Sequence, residues 1–246
     1  MTEAEWFAEP DFTRHVRFVE ERLGPRRLRL LAAAFCRAVW HVHSHWDIRI
    51  AVEKAEQSAD GTMSQFEIPV EDYGRRCREV AVRSHEVWAQ WVGVDPAEEL
   101  KWWLLHEMAW AAALAASTPL SVEAVGHRVI SAAVQAQTRQ SGVLQSQSDA
   151  EHDRLRGVQN RLLRGLVWDV AGNPFRPVAF DPAWRTGTAV AIARGMYEAH
   201  DFSAMPILAD ALMDAGCDDE DVLAHCREPG PHVRGCWVVD GVLGKL

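Results

Sequence analysis

The chain has no long hydrophobic run, few cysteines, no excess of basic charge and no catalytic signature of a familiar kind. A membrane helix requires roughly 18–20 uninterrupted apolar residues. The nearest stretch, Trp103 to Ala116, is shorter and holds His106 and Glu107. The opening Met1-Thr2-Glu3-Ala4-Glu5-Trp6 is acidic and lacks the basic-then-apolar order of a secretory signal. These absences predict a soluble, cytoplasmic protein without a membrane partner. Five cysteines, an odd number spread over 246 residues, do not form the framework of a disulfide-stapled secreted domain. They read as reduced, mostly buried thiols. With 26 basic and 35 acidic side chains the net charge is -9, which opposes general binding of a phosphate backbone. There is no phosphate loop, dinucleotide-binding glycine pattern, serine elbow or kinase set, so no residue is assigned a catalytic role and the reading is non-enzymatic.

What is present is helical periodicity, from end to end. Alternating strand patterns are missing, and Val178-Ala179-Phe180 is too short for more than an isolated extended piece. Asp11 caps a first helix through Leu23, and Pro25 restarts the chain in a second to about His45. A third runs from about Asp47 to Ala59, a fourth from Val70 to Gly93, and a fifth from the Asp95-Pro96-Ala97-Glu98 start to Ser117. The sixth spans Thr118-Pro119 to about Gln137 and the seventh Asp149 to Val170. After an irregular stretch from Asn173 to Gly187 come short helices at Thr188–Ala199, Met205–Asp214, Asp219–Cys226 and Val233–Leu243. The fold class is all-α: a single compact helical bundle or array of about ten helices. A weak boundary falls in the Gln- and Ser-rich 138–150, between N-terminal helices 1–137 and a C-terminal region 151–246.

Eleven tryptophans against two tyrosines enlarge the core or mark a binding surface. From Glu198 to Glu228 nine acids stand against the single base Arg227, a solvated face or one suited to a basic partner. Arg154, Arg156, Arg161 and Arg164 form a local basic run.

Three histidine clusters invite a metal reading. In Trp40-His41-Val42-His43-Ser44-His45-Trp46, a helix would place His41 and His45 one turn apart, the spacing of a two-imidazole grip. A helix C-terminus, where imidazoles meet free carbonyls, is the alternative. His106-Glu107-Met108-Ala109-Trp110 begins like a metalloprotease helix, but Trp110 stands where the second His belongs, leaving a core histidine beside Trp103 and Trp110. His225, Cys226, His232 and Cys236 offer four zinc-competent donors around the turn Pro229-Gly230-Pro231. Against this, buried cysteines pack as small hydrophobes, and His232 to Cys236 on a helix makes only one face. In the loop Gly172-Asn173-Pro174-Phe175-Arg176-Pro177 and Asp181-Pro182-Ala183-Trp184, the prolines hold the chain extended, as a structural strap or a recognition loop. Arg176, Trp184, Arg234 and Trp237 are the candidate binding residues.

At several of these motifs the chain resembles a family of uncharacterised, highly paralogous bacterial proteins. The matching features are Met1 to Trp6, Arg27-Leu28-Arg29-Leu30 leading to Cys36-Arg37-Ala38-Val39-Trp40, Ala55-Glu56 with Ala59-Asp60-Gly61, and Gly172 to Pro177. Further matches are Asp181 to Trp184, Leu208-Ala209-Asp210-Ala211-Leu212, His225-Cys226-Arg227, and Pro231-His232-Val233-Arg234-Gly235-Cys236-Trp237. They cover roughly the first quarter and last third. The family brings no activity to carry over; its abundance of paralogues, together with the missing catalytic signatures and the surplus of tryptophan, leads to the expectation of a non-catalytic protein–protein interaction module or a subunit of a larger bacterial assembly, without a cofactor. The alternatives are a zinc-binding protein or metal-dependent enzyme using His225, Cys226, His232 and Cys236, and a nucleic-acid-binding accessory protein using the Arg154–Arg164 face.

Overall fold

Aspartates punctuate the helices. Asp11, Asp95 and Asp219 each accept backbone N–H groups from the turn that follows: Thr13, then Ala97 with Glu98, then Val222. This satisfies donors that a helix start leaves open. In the computed structural model, which describes residues 1–42, 45–65, 67–140 and 148–245, these signals give twelve α-helices and no strand among the described residues. They are α1 (Glu3–Ala8), α2 (Phe12–Glu20), α3 (Pro25–Ala38), α4 (Trp46–Ala59), α5 (Val70–Trp91) and α6 (Pro96–Ala115), then α7 (Val122–Gln140), α8 (Ser148–Ala171), α9 (Gly187–Ala199), α10 (Met205–Asp214), α11 (Glu220–Arg227) and α12 (Trp237–Leu243). No described helix is long and apolar enough to cross a membrane.

The chain divides into two compact units, residues 8–164 and residues 1–7 with 165–246. The sequence suggests one helical domain with a weak boundary at 138–150. The division falls instead inside the continuous helix α8, and residues 141–147 of the expected boundary lie outside the described residues.

In the unit of residues 8–164, α5 packs along α6, α6 on α7, and α3 against α4 and α7. Buried alanines line these interfaces, among them Ala32, Ala33 and Ala34 of α3 and Ala109, Ala112 and Ala113 of α6. Small side chains let helix backbones approach closely, while Leu30, Leu31 and Phe35 fill the space between them. Charges drawn inside are paired: Arg37 donates through Nη2 to Glu56 Oε2 at 2.8 Å, and Arg128 through Nη1 to Glu107 Oε1 at 2.7 Å. His106 is half-buried and hydrogen-bonded through Nδ1 to the Ala81 carbonyl at 2.9 Å, a packing histidine rather than a ligand.

Burial pushes the thiols of Cys36 and Cys77 up from 9.0 to about 12. A group raised on folding stabilises the native state below its unfolded pKa and loses that contribution as pH rises through the folded value. Each thiol is therefore expected to cost about 1.4 kcal/mol of stability by pH 10. Urea unfolding at pH 8 and pH 10 checks this, and Cys36→Ala with Cys77→Ala should remove these two contributions and leave those of the raised thiols Cys226 and Cys236.

The second helix ends earlier than its apolar spacing predicts. α3 stops at Ala38, and Trp40–Val42 forms a 3₁₀ turn. There the Trp40 ring meets the guanidinium groups of Arg37 and Arg49 at 4.2 and 5.3 Å. His41 sits in that turn, and His45 precedes α4 with Nδ1 3.9 Å from Asp47 Oδ2. The two imidazoles do not share a helical face. His43 and Ser44 lie outside the described residues.

The other unit is built on short helices. α10 packs on α9 and α11, and α12 packs on α9, around Met196, Leu208, Leu212, Val238 and Val242. Helices this short gain little by themselves and depend on tertiary packing. α1, which periodicity does not reveal, is held by its one buried residue, Trp6, whose ring lies 6.4 Å from Trp168 and 6.5 Å from Phe175. Asn173 Nδ2 and Arg176 Nε both donate to Glu3 Oε1 at 2.8 Å, so the Gly172–Pro177 loop ties α1 to the end of α8.

Candidate metal centre

Four donors converge in the unit that contains the C-terminus. The last turns of α8 present Asp169, α11 presents His225, and the segment between α11 and α12 supplies His232 and Cys236. One ligand atom from each lies within 4.8 Å of every other.

The convergence has local causes. α8 ends at Gly172, which adopts the left-handed conformation (φ 67°) and donates its N–H to the Trp168 carbonyl at 2.9 Å, a common way to close a helix. The final helix begins at Trp237, not at Val233 as its apolar spacing predicts. Val233 to Cys236 is a tight turn instead, closed by the Cys236 N–H to the Val233 carbonyl at 3.0 Å, with Gly235 at φ 94°. A side chain at Gly235 would resist that conformation. The turn folds Cys236 back toward His232, which a helix would have aligned along one face.

Asp169 organises the cluster. Its Oδ1 accepts from His232 Nδ1 at 2.7 Å and lies 3.1 Å from His225 Nε2, while Oδ2 accepts the Val233 N–H at 2.9 Å. His225 Nε2 is also 3.3 Å from Cys236 Sγ. The two imidazoles meet edge to face at 4.9 Å. Asp169 and Cys236 are buried, and the rings of His225 and His232 are 19% and 9% exposed. The burial of Asp169 opposes its charge, yet hydrogen bonds from both histidines hold its carboxyl below the ordinary range. Burial, then the Asp169 charge, pushes the Cys236 thiol well above its ordinary value.

This geometry does not make a thiol–imidazole catalytic pair. In such a pair one ring nitrogen takes the thiol proton while the other is oriented by the carboxylate. Here the same atom, His225 Nε2, faces both Asp169 and Cys236, and the sulfur is wholly buried. The donor set instead suits a soft or borderline cation. Zinc takes Cys, His and Asp donors in a tetrahedron, whose ligand–ligand edges are about 3.3–3.8 Å for bonds of about 2.0–2.3 Å. The two shortest approaches to Asp169 would open slightly to admit an ion. A thiolate with two imidazoles disfavours magnesium and calcium, which prefer oxygen.

Three of the four residues singled out in the sequence, His225, His232 and Cys236, are brought together. Cys226 is not. It follows His225 on α11, and neighbouring side chains on a helix diverge by about 100°, so Cys226 turns into the apolar core with Leu212, Cys217 and Val222. Asp169 takes its place. One signal for it exists in the sequence: an acid flanked by Leu166, Val167 and Val170 on the inward stripe of a helix requires a partner.

The other candidate binding residues are engaged in packing. Arg176 pairs with Glu3. Trp184 is buried with its ring edge-on to Phe180 at 5.3 Å. Arg234 donates through Nε to the Tyr197 carbonyl at 2.8 Å and lies over the Tyr197 ring. Trp237 is buried against Gly172 and stands 5.3 Å from the His225 ring.

No protein-family model, curated protein or solved structure matches this chain.

Proposed function

We propose that the protein binds one zinc ion through Asp169, His225, His232 and Cys236, and that the ion staples a non-catalytic module that recognises another protein. The observation that carries the metal reading is the placement of Asp169. A buried carboxylate held between two imidazoles and beside a thiol completes a set of four nitrogen, oxygen and sulfur donors. Four protein ligands fill a tetrahedron and leave no open position for water or substrate, the arrangement of structural rather than catalytic zinc. The metal would join three separate pieces of chain: the end of α8, α11, and the turn before α12. Short helices with a small core gain most from such a staple.

The interaction reading rests on α10. Ile207 is 59% exposed and stands at spacings of three and seven from Asp210 and Asp214, of which Asp210 is 3.6 Å from Arg227, an exposed apolar side chain with acidic neighbours that suits a basic partner.

Elemental analysis of protein purified without a nickel column tests the metal. About one zinc per chain is expected, surviving dialysis and released by a strong chelator together with a loss of helical signal. Preparations that contain no zinc, and that take up none when it is supplied during refolding, would rule the reading out.

A further inference from the structure

The unit that contains the C-terminus carries a surface groove separate from the metal cluster. A groove of about 370 Å³ runs between the first turns of α9 and the outer face of α10. α10 contributes Ile207, Asp210, Ala211 and Asp214, whose helical spacing places them on one stripe. α9 contributes Thr188 and Ile192, one turn apart on the opposite wall.

The groove is apolar where a helix in contact with water is ordinarily polar. Leu208, Ala209 and Leu212 already bury the inner face of α10, so the core does not call on Ile207, which is 59% exposed. Ile192 across from it is half-buried. Covering such side chains is favourable.

The rim carries charge that α10 itself has no use for. Asp210 and Asp214 stand one turn apart, where like charges repel. Asp214 also ends the helix, where the dipole disfavours an acid. Asp210 lies 3.6 Å from Arg227 Nη2, an ion pair open to water that stabilises little. Asp214 has no ion pair among the described residues. Asp218, Glu220 and Asp221 follow directly after the helix and are exposed, which adds to the negative field. Departures from local helix rules without a gain in stability mark a surface that serves something else.

The occupant that matches is a segment of another protein. The acids repel a polyanion. A small cation would be left mostly in water, since the Asp210 side chain is 75% exposed, whereas small-molecule sites enclose about 70–90% of their ligand. We infer that an amphipathic, Lys- or Arg-bearing segment of a partner protein docks in the α9–α10 groove, with an apolar side chain laid between Ile192 and Ile207 and its cations beside Asp210 and Asp214. This rests on the reading of α10 as the interaction surface and names the chemistry of what it recognises. Opposite charges at the rim set orientation and speed encounter, while the apolar contact holds the complex.

Short random peptides displayed on phage, selected against the full chain and then synthesised for fluorescence titration, test this. The enriched sequences are expected to place Lys or Arg within one helical turn of a large apolar residue. Ile207→Ser should weaken their binding about tenfold or more. Asp210→Asn with Asp214→Asn should weaken it about three- to tenfold and flatten its dependence on salt. All three positions are exposed, so the melting temperature should stay essentially where it was. Sequences that need Ile207 but carry no base and ignore the Asn pair overturn the inference and leave α10 as the recognising surface. Sequences indifferent to all three substitutions, or the enrichment of none, overturn both. Displacement of the peptides by putrescine at equal or lower concentration would make the groove a small-cation site and also overturn the inference.

Discussion

Replacing Asp169 with alanine is expected to abolish zinc retention and to unfold the unit formed by residues 1–7 and 165–246. The carboxylate accepts from His225, His232 and the Val233 N–H, and it is buried. Removing it strands polar donors away from water at about 1–3 kcal/mol each. In the zinc-bound protein, where these imidazole nitrogens would ligate the ion instead of donating, it removes a ligand from a site whose binding free energy, in structural zinc sites of small domains, is of the order of 10 kcal/mol and is felt as folding free energy. Asp169→Asn separates the two effects. Asparagine keeps the shape and one accepting oxygen, so the fold should survive with zinc affinity lowered about 100-fold or more. A chromogenic chelator competition measures affinity, and circular dichroism with thermal melting measures the fold. If Asp169→Ala held one zinc with unchanged affinity, the ion would have to be bound elsewhere.

The second large effect is expected at Gly172. Its φ of 67° is in the left-handed region, and an added Cβ would stand 3.1–3.3 Å from three atoms of the Trp237 indole. Gly172→Ala therefore meets a backbone cost of about 1–2 kcal/mol and an overpacking cost of about 1–3 kcal/mol. Trp237 directly follows Cys236, so displacing the indole should also lower zinc affinity. Introducing Gly172→Ala into a Trp237→Leu background relieves the contact and leaves the backbone cost. The double-mutant cycle should thus show coupling of about 1 kcal/mol or more. Additive effects would mean that the indole does not hold the turn in place.

The legibility of the sequence varied with how local each cause is. α10 follows its predicted limits, Met205–Asp214, because periodicity, Pro206 in the first turn and Gly216 after the end all act within a few residues. The cap at Asp95 and the restart at Pro25 were equally readable. The end of α3 was not, since its apolar spacing continues past Ala38 while Arg37 and Arg49 hold Trp40 in a different geometry. α1 leaves no periodic signal because six residues carry too little periodicity, and its stability comes from Trp6 meeting Trp168 and Phe175, more than 160 residues further along the chain. The late start of α12 reflects a turn at Gly235 that its flanking apolar residues do not announce.

The candidate site shows the same contrast. Composition and spacing established an all-helical chain, its capping points and the pool of imidazoles and thiols near the C-terminus, because helix propensity, capping and amphipathic spacing are properties of neighbouring residues. Which of those groups face one another depended on tertiary structure. Helix direction on α11 sent Cys226 into the apolar core while presenting His225 to the cluster, and the turn at Gly235 returned Cys236 toward His232. Packing of α8 then delivered Asp169 from 56 residues before His225. Chain connectivity contains no signal for that meeting; only burial, which forbids an unpartnered carboxylate, decides it.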